Sequence, residues 1–179
     1  MAVRGSMADL IARVRFLIND PAGASPTISD QQIQDTLDER RVDVRFEELQ
    51  PAETPVAGRL VTLDHYSHRG NWEADEALFD GAYNELTPTD ANRLVGHWTF
   101  GADTSSPVYL VGKTYDVYAA AADLLEAWAA REKASFDFTA DGASYHRSQK
   151  VANLLELARR HRQQQRPQSI RQVRNDVEV

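Results

Sequence analysis

Apolar residues recur at helical spacing near both ends of the chain and lose that spacing in the middle. Leu10, Val14, Leu17 and Ile18 stand at i, i+4, i+7 and i+8 and predict a helix over 6–19, with Ser6 or Asp9 near its start and Pro21-Ala22-Gly23 after it. Ser29 and Gln32 then form the S-x-x-Q pair of a capping box, in which each side chain satisfies a backbone donor of the other. Ile33, Leu37 and Val44 continue that face, so the pattern carries a second helix to about residue 48. The strongest helical signal covers 114–133, where Val117, Ala121, Leu124, Leu125, Trp128 and Ala129 recur among many alanines. A last helix, with Ser144 as its candidate cap, carries Val151, Leu154, Leu155 and Ala158 as a narrow stripe on a basic rod that runs to about residue 165, before Pro167.

Pro51 and Pro55 break the helical pattern. The segment 56–112 holds Trp72, Trp98, scattered glycines and the short runs Leu60-Val61-Thr62-Leu63 and Val108-Tyr109-Leu110-Val111, which predict an inserted β-rich module. Within it, Thr89 or Asp90 followed by Ala91, Leu94 and Val95 suggests a short helix. Residues 135–142 alternate apolar and polar and end in Asp141-Gly142, an extended segment entering a turn. Residues 168–179 carry isolated aliphatics and no core pattern, and are expected to order only on a partner. The expected fold class is therefore mainly α: a four-helix core from 6–50 and 113–166, a small β-rich insertion at 56–112 between helices 2 and 3, and an extended C-terminal tail at 167–179. Met7 could itself begin the chain, and residues 1–6 carry no weight in this reading.

Composition narrows the function classes. A chain of 179 residues suits one sizeable core. Its 42% hydrophobic and 26% charged residues are those of a folded protein. The absence of cysteine excludes disulfides, thiolate metal sites and a cysteine nucleophile. No apolar run approaches the roughly 20 residues of a membrane span and no signal segment opens the chain, so a soluble, unexported protein is expected. The net charge of -7 is unevenly spread: 29–112 holds sixteen acids and six bases, whereas 143–165 holds five bases and one acid. Such a chain can meet itself acid to base across a subunit interface, although two solvated faces account for the split equally well.

Candidate chemistry is sparse. Asp137, Thr139, Asp141 and Gly142 match four positions of a calcium loop, but the twelfth position is Ser148 where a bidentate carboxylate is needed. His65 and His68 lie near Asp64 without any fixed metal-binding spacing. Asp64, Glu73, Asp75, Glu76 and Asp80 could supply a glycosidase pair only if the fold set two of them across a cleft, with Trp72, Trp98 and Tyr109 as sugar-stacking rings. There is no G-x-S-x-G and no glycine-rich phosphate loop. Arg147, Lys150, Arg159, Arg160 and Arg162 make a helix able to touch phosphates, yet the chain is acidic overall, which favours a solvated face or an acidic protein partner. No enzymatic activity, cofactor or metal is expected. A carbohydrate-active or hydrolytic module and a DNA-binding accessory protein are the alternatives.

The stretch Phe136-Asp-Phe-Thr-Ala-Asp-Gly-Ala-Ser-Tyr145, followed by Arg147-Ser-Gln-Lys150 and Leu154-Leu-Glu-Leu-Ala-Arg-Arg-His161, comes after an alanine-rich helix ending in Trp128-Ala-Ala-Arg-Glu-Lys133. Over about 115–166 this resembles the head-to-tail connector adaptors of long-tailed bacteriophages. The opening Leu10 to Ile18 and the helix start Ser29 to Ile33 fit that family more loosely, and 56–112 has no counterpart in it. The resemblance implies a virion protein assembled in the host cytoplasm, a ring of usually twelve subunits between the portal protein and the tail or its completion protein, with genomic DNA passing through without specific binding. Carried over residue by residue, it makes Arg159, Arg160, Arg162, Arg166, Ile170, Arg171, Val173, Arg174, Val177 and Val179 the expected portal contact. An acidic channel wall would repel DNA phosphates, and Asp35, Asp38, Glu39 and Asp43 on the second helix are the expected channel-facing acids. The insertion is expected to contact the tail through exposed aromatics.

Overall fold

The computed structural model describes residues 2–23, 25–104, 107–133, 138–140, 143–145 and 147–166. A 3-10 turn at Gly5–Met7 leads into α1 (Ala8–Ile18), which ends on Asn19 in the left-handed conformation, φ 54°. No side chain caps its start: Ser6 is engaged elsewhere and Met7 is part of the core. α2 (Asp30–Glu39) begins with the expected capping box, Ser29 accepting from the Gln32 amide while the Gln32 side chain accepts from the Ser29 amide.

α2 stops at Glu39, not near residue 48. Residues Arg41–Glu48 form β1, because Val42, Val44 and Phe46 alternate with polar residues at the period of a strand and β-branched valines favour it. Seven further strands follow: β2 (Gln50–Val56), β3 (Arg59–Tyr66), β4 (Ala77–Phe79), β5 (Glu85–Leu86), β6 (Asp90–Asn92), β7 (His97–Thr99) and β8 (Tyr109–Tyr115). The expected helix after Thr89 is absent. β6 pairs there with β7, opposing Asp90 to Thr99 and Asn92 to His97, and cross-strand pairing overrides the cap signal.

Two four-stranded antiparallel sheets result, ordered β1-β8-β4-β5 and β2-β3-β7-β6. They share one core of Val44, Leu49, Trp72, Leu78, Trp98, Phe100, Val108 and Leu110. The chain is therefore not mainly α. The β unit spans 41–115 instead of 56–112, since strand pairing recruits β1 and the whole of β8.

α3 (Val117–Lys133) starts after Asp116, whose carboxylate caps the amides of Tyr118 and Ala119; Thr114 and Tyr115 close β8 and are not helical. β9 (Phe138–Ala140) and β10 (Ala143–Tyr145) pair as a hairpin, so Ser144 lies in a strand and is not the cap of the last helix. The turn expected at Asp141-Gly142 lies outside the described residues. α4 (Arg147–Gln164) then packs along α3. All four helices contribute to a second core, with Met7, Leu10, Val14, Ile18, Ile33, Leu37, Leu125 and Ala158 each almost fully buried. Leu155, expected in the apolar stripe of α4, is instead 47% exposed. Among the described residues no helix is long and apolar enough to cross a membrane.

Candidate functional site

The joint between helical and β units is held by a buried carboxylate. Glu73 is fully buried and accepts from Arg4 Nε at 2.9 Å, Ser6 Oγ at 2.7 Å and the Tyr115 hydroxyl at 2.5 Å. Arg4 also forks onto Asp38 of α2 at 2.9 and 2.6 Å. Burial pushes Glu73 up, but the hydrogen bonds from Tyr115, Ser6 and Arg4 outweigh it and hold the carboxyl below its ordinary range. Burial and the bond to Glu73 raise the Tyr115 phenol well above its usual value. An ionised carboxylate so saturated with donors pins elements together and has no proton to transfer.

The other candidate acids are engaged one by one. Asp64 accepts from Thr99 Oγ1 at 2.6 Å and pairs with His97 Nε2 at 2.8 Å, and these bonds lower its pKa. Glu76 accepts from Arg93 and from the Trp98 indole, Asp75 pairs with Lys113, and Asp80 closes a turn by accepting from Ala82 and Asn84. His65 and His68 do not converge. His68 lies exposed at 3.0 Å from Glu47, while His65 is fully buried beside the Phe100 ring with no partner for either ring nitrogen, and burial lowers its pKa. Among the described residues no three His, Asp or Glu side chains gather as a metal would require. Asp137, Asp141 and Gly142 of the calcium-like pattern lie outside the described residues. Trp72 and Trp98 meet at 6.0 Å inside the shared core, so neither ring is available to stack on a sugar.

The basic face of the last helix divides in two. Arg162 reaches Asp123 at 2.5 Å and Glu126 at 2.9 Å on α3. Arg166 donates to the Gly70 carbonyl at 2.7 Å and to Thr114 Oγ1 at 3.1 Å, while its amide donates to Asp116 at 2.8 Å. Burial lowers the pKa of this guanidinium. Both side chains thus tie α4 to its own chain. Among the described residues Arg159 and Arg160 share Glu156 alone and keep 72% and 68% of their side-chain surface exposed. Ile170, Arg171, Val173, Arg174, Val177 and Val179 lie outside the described residues. Of the expected channel acids, Asp35 and Glu39 are exposed four residues apart on α2, Asp38 faces Arg4, and Asp43 pairs with Arg41 on β1.

Two hollows line the helical unit. An apolar groove of about 590 Å³ runs along α1 between Ile11, Phe16 and Pro21. A polar one of about 340 Å³ lies at the joint among Arg13, Arg69, Asp116 and Arg166.

The β unit adds a feature that spacing did not disclose. β1 bulges between Val44 and Glu47, turning Phe46 outward at φ 52° and 52% exposure. In the Asp80 turn, Tyr83 stands at φ 63° and 63% exposure. The two rings meet edge to face at 5.6 Å, with Phe79 at 6.0 Å from Phe46 and Tyr109 stacked at 6.0 Å from Tyr83. A left-handed backbone at a bulky residue costs about 1–2 kcal/mol, and here it carries two rings towards water instead of the core. The alternation of Val42, Val44 and Phe46 and the Asp80-Gly81 turn signal were the available sequence clues.

Searches against known protein families, curated proteins and solved structures find no match to this chain.

Proposed function

We propose that this chain is a head-to-tail adaptor of a tailed bacteriophage, a structural subunit that forms a ring, of twelve copies in the family it resembles, between the portal and the tail or its completion protein. The observation that carries this reading is the anchoring of α4. Arg162 and Arg166 tie the helix to α3 and to the β unit, so the chain is anchored up to residue 166, while Arg159 and Arg160 are exposed. The sequence expectation that 167–179 order on a partner would make docking on the portal the source of the free energy of ordering. The resemblance over about 115–166 supplies the identity of that partner. Asp35 and Glu39, unpaired with any cation among the described residues, remain the acids suited to a channel wall that lets DNA slide.

Against the alternatives stand the burial of Trp72 and Trp98, which removes two of the three candidate sugar-stacking rings, and the pairing of Lys150 with Glu132 and of Arg162 with Asp123 and Glu126, which engages two of the five cations of the basic helix within the chain. The test is capture by purified portal rings of the full chain and of a chain ending at Arg166. Retention of the first and loss of the second is expected; failure of both to bind would remove the adaptor reading.

A further inference from the structure

The four-ring patch on the first sheet is bordered by acids placed by the strand register. Glu48 stands opposite Tyr109 across β1 and β8, and Glu85 stands opposite Phe79 across β4 and β5; both acids are exposed. A surface of aromatic faces with a carboxylate rim is complementary to guanidinium groups set beside an aliphatic side chain, because a cation is drawn both to the ring face and to the rim charge. The chain itself carries such a surface. On α4, Leu155 is 47% exposed and lies one turn from Arg159, with Arg160 next to it. Among the described residues these two cations share one acid, Glu156, so the face keeps a positive surplus.

We propose that the patch is the contact between neighbouring copies of this chain, with Phe46 and Tyr83 of one copy seated against Leu155, Arg159 and Arg160 of the next. Charge complementarity favours a second copy as the occupant: Glu48 and Glu85 are exposed at the patch and Arg159 and Arg160 at the counter-surface, within segments 29–112 and 143–165 that carry sixteen acids to six bases and five bases to one acid. Phe46 and Tyr83 on one surface and Leu155, Arg159 and Arg160 on the other are exposed among the described residues. Two different surfaces that recognise each other make a heterologous contact, which adds copies in one direction until rotation closes a ring. The inference rests on the adaptor reading for the ring it builds. It gives the β unit the role of joining subunits, moves Arg159 and Arg160 from the expected portal contact to the subunit contact, and leaves residues 167–179 for the portal.

The experiment is sedimentation velocity of the full chain across a wide concentration range, with two surface variants. Phe46→Asn with Tyr83→Asn removes the rings while keeping residues that accept a left-handed backbone. Arg159→Glu with Arg160→Glu reverses the counter-surface. The unaltered chain should self-associate reversibly, and each variant should weaken that association by at least about tenfold, as loss of a buried anchor does. Unchanged thermal melting would show both variants folded. Because each retains one intact half of the contact, an equal mixture of the two should form dimers and nothing larger. A chain that stays monomeric at every concentration, or variants that associate as well as the parent, would overturn the proposal. So would ring-patch variants that self-associate normally but no longer join tails, which would assign the patch to the tail. Portal capture reads the adaptor identity separately, so either conclusion can fail while the other stands.

Discussion

Arg4 and Glu73 are joined at 2.9 Å although 69 residues separate them, and the pair closes the helical unit onto the β unit. Glu73 is fully buried, whereas the Arg4 side chain keeps 35% of its surface exposed. Removing one member of such a pair leaves the other's charge buried. Tyr115, Ser6 and the nearby Lys113 would still serve Glu73, which moderates the loss. Arg4→Ala is expected to lower unfolding free energy by about 2 kcal/mol, read as a shift in the urea midpoint at constant slope. A shift under half of that would mean the Tyr115 and Lys113 contacts suffice.

His65 sets a pH dependence near neutrality. Burial lowers its folded pKa below the ordinary value of 6.5, an effect that Asp64 partly opposes. As pH falls below 6.5 the unfolded chain therefore binds the proton first, and stability must decline with falling pH. Thermal melting should drop between about pH 7 and 5 in the native chain and stay flatter in His65→Leu, which also removes two unpartnered ring nitrogens. Equal slopes in both proteins would show that another group governs this range.

Glu73 acts in a lower window. Its folded pKa lies below the usual 4.5, so its contribution is complete above that pH and is lost as pH falls through the folded value. Tyr115→Phe removes one of the bonds that hold the value down. It should shift the acid unfolding midpoint upward and cost about 1–2 kcal/mol at neutral pH.

Gly96 has φ 77°, and a Cβ there would collide with the Arg69 carbonyl oxygen. The loops 67–71 and 93–97 meet at this point, where the Ser67 amide donates to the Gly96 carbonyl at 2.9 Å. Gly96→Ala is expected to cost more than about 2 kcal/mol and to loosen the joint that receives Arg166. Ser29→Ala, which removes only the capping box of α2, should cost about 1 kcal/mol, so the ratio of the two separates backbone strain from capping.

Substituting Asp35→Lys with Glu39→Lys tests the proposed channel wall without touching the Arg4–Asp38 pair. In correctly assembled particles DNA ejection should slow, since a cationic wall binds phosphates; unchanged ejection would place these acids away from the channel.

How much of this was legible in the sequence follows from the range of each interaction. The capping box at Ser29, the stripes of α1 and α3, the basic rod of α4 and the strands around Leu60 and Val108 are local patterns, and the sequence by itself determined them, because a turn of helix or a pleat repeats within a few residues. Val44 matched the helical spacing of Leu37 as well as the alternation of Val42 and Phe46. Only pairing of β1 with β8, some 70 residues away, decided for the strand. The same holds for β6, where β7 overrode a local cap signal. Arg4 and Ser6, given no weight in the chain order, became part of the buried joint once folding brought Glu73 and Tyr115 to them. Which arginines of α4 face outward was equally undetermined, since Arg159, Arg160 and Arg162 are neighbours in sequence and only packing on α3 turns Arg162 inward to Asp123. Local order is written in spacing. Burial, charge pairing and exposure are set by residues distant in the chain, so the tertiary structure alone decided which charges hold the fold together and which stay exposed.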